Sequence, residues 1–325
     1  MKNALIVGID YYSKVSSLHG CVNDAFEVDS MLKRNDGGAI NFNTKRVTAS
    51  NSGDAISKKQ LKDLITKLFA QKSEIALLYF AGHGHIEKTG GYLIASDAGD
   101  GDDGMPLSEI MTLANSSPAI NKIIILDSCF SGIAGASMEN TEISHLAEGM
   151  TILTASGEDQ YASEENGRGV FTTLMVDALS GSAANLVGQI TPGSIYAHID
   201  QSLGEWDKQR PVFKTNVKNF VCLRQVTPPI SIDELRSIIE YFPTPGFEFQ
   251  LDPTFEPELK GRDAGMAEPV EANTQVFRVL QKFNRLNLLI PLFAPHMWNA
   301  AMESKACKLT ALGEHYRRLV EKELI

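Results

Sequence analysis

Four short, nearly uninterrupted apolar runs constrain the fold of this chain more than any other feature. They are ALIVGI at 4–9, IALLYFA at 75–81, KIIILD at 122–127 and MTILTA at 150–155, and each ends against Gly, Asp or Ser. Runs of this length without polar alternation belong to strands covered on both faces, as in a parallel sheet between two helical layers. Amphipathic stretches at about 21–34, 57–70, 107–115, 168–180 and 194–207 lie between and beyond them. Alternation of this kind predicts βαβ crossovers and a three-layer α/β/α domain with a mostly parallel sheet. In open sheets of that type ligands bind at the carboxyl ends of the strands, so the chemistry is expected just after the apolar runs.

The texture changes at VTPPI, residues 226–230, where successive prolines cannot continue a central strand. Residues 1–226 are therefore expected as the α/β domain and 227–273 as a connection carrying one helix, SIDELRSIIEY at 231–241 with Ser231 as its cap. Residues 274–325 carry three helical patterns and are expected as a small, mainly helical domain. Within it Thr310 is a plausible cap and Gly313 an unusual interior glycine. No internal repeat or low-complexity tract is present.

A net charge of −10 over 325 residues argues against sequence-independent binding of nucleic acid, which needs clustered Lys and Arg. The four cysteines, Cys21, Cys129, Cys222 and Cys307, stand far apart with no CxxC pair. That usage suits a reducing compartment. No stretch approaches the roughly 20 apolar residues of a membrane span, so a cytoplasmic protein without membrane contact is expected.

Two glycine-flanked turns follow buried strands. YFAGHGH at 79–85 places His83 between Gly82 and Gly84, and ILDSCFSG at 125–132 places Cys129 at the next strand end. A nucleophilic thiol needs a partner that holds it as thiolate and later protonates the leaving amine, so a His and a Cys on neighbouring strand ends are chemically sufficient. Either residue alone is ordinary packing material; together they point to nucleophilic catalysis. Cys21, Cys222 and Cys307 are read as structural.

These motifs resemble the metacaspase and prokaryotic caspase-homologue family, marked by a strand-Gly-His-Gly turn followed by an Asp-Ser-Cys-x-Ser-Gly turn. The resemblance extends through LIVGIDYY, LHGCVNDA at 18–25, TASGEDQYASE at 154–164 and GVFTTLMVDAL at 169–179, covering roughly 1–225. It implies a cysteine endopeptidase working through a thioester acyl-enzyme. His83 and Cys129 are then the catalytic dyad, and the backbone N–H groups of Gly84 and Cys129 the oxyanion donors. Acids at the matching places, Asp24 and Asp127, imply a pocket that takes Arg or Lys. Capping of a helix by Asp24 and tethering of a loop by Asp127 remain open as the structural alternatives. Many relatives bind calcium through an Asp-Asp pair, but here that place reads PLSEI; the loop SDAGDGDDG at 96–104 offers Asp97, Asp100, Asp102 and Asp103 instead. A solvated acidic turn is the favoured reading of that loop, so no metal or other cofactor is expected. Between Ser128 and Gly167 there is no Lys or Arg, so basic specificity implies an enzyme that works uncut through this segment.

The C-terminal patterns resemble, more distantly, a small winged-helix unit of the sort appended to bacterial conflict-system effectors. That implies a regulated effector in a stress or antiviral defence pathway, with a protein activator or partner engaging the C-terminal domain. Arg278, Lys282, Arg285, Lys305, Lys308, Arg317 and Arg318 alternate with Glu303, Glu314, Glu321 and Glu323, which disfavours nucleic acid as the ligand of this domain. A catalytically silent caspase-like adaptor is the alternative from another functional class.

Overall fold

The four apolar runs form the centre of a six-stranded sheet. In the computed structural model these strands are β1 (Lys2–Ile9), β2 (Phe42–Ala49), β3 (Ile75–Ala81), β4 (Asn121–Asp127), β5 (Met150–Thr154) and β6 (Val212–Asn216). The structure describes residues 1–87, 90–99, 103–128, 145–156, 168–204 and 209–325, with the backbone of 164–165. The chain divides into two units, Met1–Thr227 and Pro228–Ile325.

Sheet order is β6-β5-β4-β3-β1-β2, parallel throughout except that β6 runs antiparallel to β5. All seven residues of β3 are buried. The two outermost strands escape the apolar-run criterion for a physical reason. Sequences FNTKRVTA and VFKTN cover edge positions, where one side meets solvent and charged residues discourage pairing with another chain.

Among the described residues, the outer layers are supplied by α1 (Cys21–Lys33), α2 (Lys58–Ala70), α3 (Leu107–Asn115), α4 (Val170–Asp177) and α5 (Pro192–Leu203). Side chains alternate across β1, so Leu5, Val7 and Ile9 join the layer of α2 and α3. Ala4 and Ile6 join that of α1, α4 and α5. At Gly8 the helix α1 comes so close that an added Cβ would stand 2.3 Å from the Cys21 carbonyl oxygen. The mostly parallel three-layer domain thus agrees with the expectation. The stretch 168–180 becomes α4 followed by a π turn, Ala178–Ser182, whose Gly181 at φ 139° no other residue would adopt without strain.

The second unit is mainly helical and also holds a small antiparallel sheet. Its helices are α6 (Ile232–Arg236), α7 (Ile238–Tyr241), α8 (Glu271–Arg285), α9 (Met297–Met302) and α10 (Ala311–Glu321). Strands β7 (Glu248–Gln250), β8 (Leu289–Pro291) and β9 (Ala306–Leu309) are ordered β7-β9-β8. Residues 228–273 are not a connection but part of this unit: β7 pairs with β9, and Phe255 packs edge-on against Phe277 of α8 at 6.5 Å. Ser231 and Thr310 cap their helices, accepting from Glu234 N (3.2 Å) and Gly313 N (3.1 Å). Gly313 is glycine because a Cβ there would stand 2.0 Å from the Leu288 carbonyl oxygen.

Candidate active site

Strands β3 and β4 pair in register through Ala81 and Asp127, and Gly82 N donates to the Asp127 carbonyl at 3.3 Å. His83 therefore leaves the sheet at its carboxyl edge, beside the end of β4. The chain then turns into a hairpin of two short strands, Gly84–Glu87 and Gly90–Leu93. Ile94 N donates to the His83 carbonyl (3.0 Å), which makes Gly84 and Leu93 a non-hydrogen-bonded pair. The Gly84 N–H is consequently directed away from the Gly90–Leu93 strand. Cys129 lies outside the described residues; Ser128, immediately before it, is buried.

The imidazole of His83 is held by the loop between β1 and α1. Its Nε2 lies 2.8 Å from the Ser16 carbonyl oxygen. A carbonyl only accepts, so Nε2 carries a hydrogen and Nδ1 is the bare, basic nitrogen of the neutral ring. His83 N donates to the Tyr12 hydroxyl at 2.7 Å, and the two rings stand 4.6 Å apart. Tyr12 ends the LIVGIDYY motif without a role being legible there, and Ser16 lies in no motif; neither adjoins a glycine turn, and only the fold brings them to His83.

The two predicted acids converge. Asp24, in the first turn of α1, is 2% exposed, and Asp127, the last residue of β4, is 7% exposed. Asp24 Oδ2 accepts from Gly169 N (3.0 Å), and Asp127 Oδ2 accepts from the Thr172 hydroxyl (2.7 Å). A methyl group on Gly169 would stand 2.4 Å from Asp127 Oδ2 and 3.0 Å from Asp24 Oδ2, so only glycine fits between the carboxylates. Because Thr172 gives its one hydrogen to Asp127, the Tyr79 hydroxyl 2.6 Å away must donate to Thr172. Burial drives the Tyr79 phenol well above its ordinary range, and the nearby Asp127 and Asp24 charges raise it further. Two hydroxyl dipoles in series thus point at Asp127.

Asp24 is not the cap of α1. That role falls to Asp10, whose Oδ1 accepts from Cys21 N (2.9 Å) and Val22 N (3.4 Å) across the loop. Burial raises the Asp10 pKa, with the bonds from Val22 and Cys21 opposing. A raised carboxyl pKa in the folded state favours folding below the unfolded value, and that contribution disappears as pH rises through the folded one. Asp10→Asn keeps an acceptor oxygen without the buried charge. Its melting temperature relative to wild type is expected to rise between pH 4 and pH 7; Asp10→Ala, which lacks the carboxyl too, follows the same trend but lies about 1 kcal/mol below Asp10→Asn at both pH values because it loses the cap. Thermal melts of the three proteins at both pH values check this.

A sheet of this order, with a Gly-His-Gly turn leaving one strand and the sequence Asp-Ser-Cys beginning at the last residue of the next, coincides with the region of this chain that is similar to known proteins. Residues 1–221 match the Peptidase C14 family model, described as the caspase domain. The chain belongs to the caspase-domain family. A crystal structure of protein GSU0716 from Geobacter sulfurreducens is similar in fold, with a TM-score of 0.50 at 15% identity, covering 67% of this chain and 95% of that one. No curated protein matches the chain.

Two of the remaining candidates of this caspase domain, Asp97 and Asp103, take structural places. Asp97 accepts from Lys58 N (2.9 Å) at the start of α2, and Asp103 Oδ2 accepts from Gly99 N (3.0 Å). A Cβ on Gly99 would lie 2.9 Å from the Lys14 ammonium and 3.0 Å from Asp103 Oδ2, so a lysine already attends this turn. Asp100 and Asp102 lie outside the described residues. Among the described residues no three His, Cys, Asp or Glu side chains gather as metal ligands. Cys21 and Cys307 are buried, Cys222 is half-buried, and among the described residues none of the three forms a disulfide. Burial pushes the Cys307 thiol up to about 12, which removes it as a nucleophile at neutral pH. No described helix is long and apolar enough to cross a membrane.

Proposed function

We propose that this caspase-domain protein is a cysteine endopeptidase that cleaves proteins after Arg or Lys, with Cys129 as nucleophile and His83 as base. The observation that carries the reading is the placement of His83. Its Nε2–H is engaged by Ser16, which leaves Nδ1 to act, and Cys129 follows Asp127 by two residues just as His83 follows its register partner Ala81. The thiol proton passes to Nδ1 as sulfur bonds to the scissile carbonyl carbon. The tetrahedral oxyanion takes hydrogen bonds from the Gly84 and Cys129 N–H groups, and Nδ1 returns the proton to the departing amine. Water then hydrolyses the thioester. None of these steps calls for a metal or other cofactor.

Basic specificity is supported by the meeting of Asp24 and Asp127 at Gly169. A guanidinium or ammonium that reaches the two carboxylates beside Gly169 relieves repulsion between them and gains charge-assisted hydrogen bonds. A peptidyl ketone electrophile ending in Arg is expected to label the chain once, at Cys129, whereas its Asp-ending counterpart does not; peptide mapping reads the site. Labelling by the Asp reagent in preference would contradict the pocket.

Arg168, the first basic residue after Cys129, is engaged by Glu27 at 2.6 Å. The enzyme is accordingly expected to work as one chain through 128–167, and intact mass before and after turnover checks it. A cut inside that segment would overturn either the uncut state or the basic specificity. The second unit is assigned to recruiting a protein partner in a cytoplasmic stress or defence pathway. Support comes from Phe293, which is 88% exposed and held at φ 55°, and from the interleaving of acidic and basic residues, which disfavours nucleic acid.

A further inference from the structure

We propose that Tyr12 is a positioning residue for His83, fixing the imidazole in the orientation and tautomer in which Nδ1 is the base. The proposal rests on the reading of His83 as the catalytic base and deepens it.

Tyr12 is 4% exposed and begins a loop secured at several points. Asp10 N and Tyr11 N both donate to the Ala49 carbonyl at the end of β2, and Ser13 N donates to the Ser96 carbonyl. From this rigid base Tyr12 touches His83 twice, with its hydroxyl under the backbone N–H and its ring against the imidazole. The same loop, four residues on, supplies the Ser16 carbonyl to Nε2. Backbone, ring face and Nε2 of the histidine are thus all held by one segment.

Gly82 completes the arrangement. A Cβ on Gly82 would stand 2.6 Å from the Tyr12 hydroxyl oxygen, so the first glycine of the Gly-His-Gly turn is the space through which Tyr12 reaches His83. The ring contact also has a consequence for the reaction. When the thiol proton reaches Nδ1, an imidazolium forms beside the Tyr12 ring, tilted at 52° to it with centroids 4.6 Å apart, inside the distance at which an aromatic ring attracts a cation. The interaction strengthens as charge develops, so it acts on the chemical step more than on substrate binding.

The test uses Tyr12→Phe and Tyr12→Leu with two readouts. The first is kcat and KM on an Arg-ending peptide. Tyr12→Phe keeps the ring and loses the acceptor for His83 N, and is expected to lower kcat by about 3- to 10-fold. Tyr12→Leu loses both, and is expected to lower kcat by about 100-fold with KM nearly unchanged. The second is 15N NMR of the His83 ring in full-length Cys129→Ala protein, assigned by difference with His83→Gln. The Nε2–H tautomer is expected with Tyr12 present, and a mixture of tautomers with Tyr12→Leu. Unchanged kcat in Tyr12→Leu, an equal proportional rise in KM, or an unchanged tautomer would overturn the proposal. Should Tyr12→Leu fail to fold, unchanged kcat in Tyr12→Phe overturns it. If wild type shows no Cys129-dependent turnover the peptidase reading fails, and the NMR readout still decides whether Tyr12 sets the His83 ring.

Discussion

His83→Ala is expected to lower kcat/KM on an Arg-ending peptide by about 10²- to 10⁴-fold while leaving the melting temperature within a few degrees of wild type. Loss of the imidazole removes two services at once. A cysteine without a basic partner is only a few per cent thiolate at pH 7, and the departing amine then has no positioned acid to protonate it. The fold does not depend on the ring: β3 is secured by its register with β1 and β4, and His83 lies past its last residue. Steady-state kinetics beside thermal melts separate the two effects. Activity retained within a few-fold would remove His83 from the mechanism.

The second large effect is expected at the acidic pair. Asp127→Asn and Asp24→Asn preserve shape and an acceptor oxygen, for Thr172 and Gly169 respectively, and each removes one negative charge. A substrate cation that met two carboxylates then meets one, and the loss of a buried charge-assisted partner costs about 2–5 kcal/mol. Cleavage after Arg is expected to fall by about 30-fold or more in kcat/KM, while a peptide with a neutral residue at that position loses far less. The ratio of the two substrates is the measurement. An equal fall for both would assign the acids to holding the loop ends rather than to selecting the substrate.

Much of this was legible in the sequence where one local signal was enough. Strands buried on both faces announce themselves as apolar runs, and the Gly-His-Gly and Asp-Ser-Cys motifs stand at the ends of such runs. Ser231, Thr310 and the unusual Gly313 were likewise visible from cap chemistry and position alone. What escaped depended on contacts between distant residues or on elements too short to show a period. Edge strands β2 and β6 are polar because only one side is covered; β7, β8 and β9 have three or four residues each, too few to display alternation. Asp10 caps a helix that begins eleven residues later, and a cap at that distance leaves no local pattern. Gly169 and Thr172 reach Asp24 and Asp127 across 145 and 45 residues of chain. The family motifs identified the acids, whereas their meeting around one glycine is a product of the fold.

The most direct measurement is hydrolysis of fluorogenic peptides ending in Arg, Lys or Asp by the purified full chain and by Cys129→Ala, each with calcium and with chelator. Turnover of the Arg or Lys peptides that disappears in Cys129→Ala is the predicted result, and it joins the caspase domain, the nucleophile and the acidic pocket in one assay. Preferential cleavage after Asp, or turnover that survives in Cys129→Ala, would contradict it.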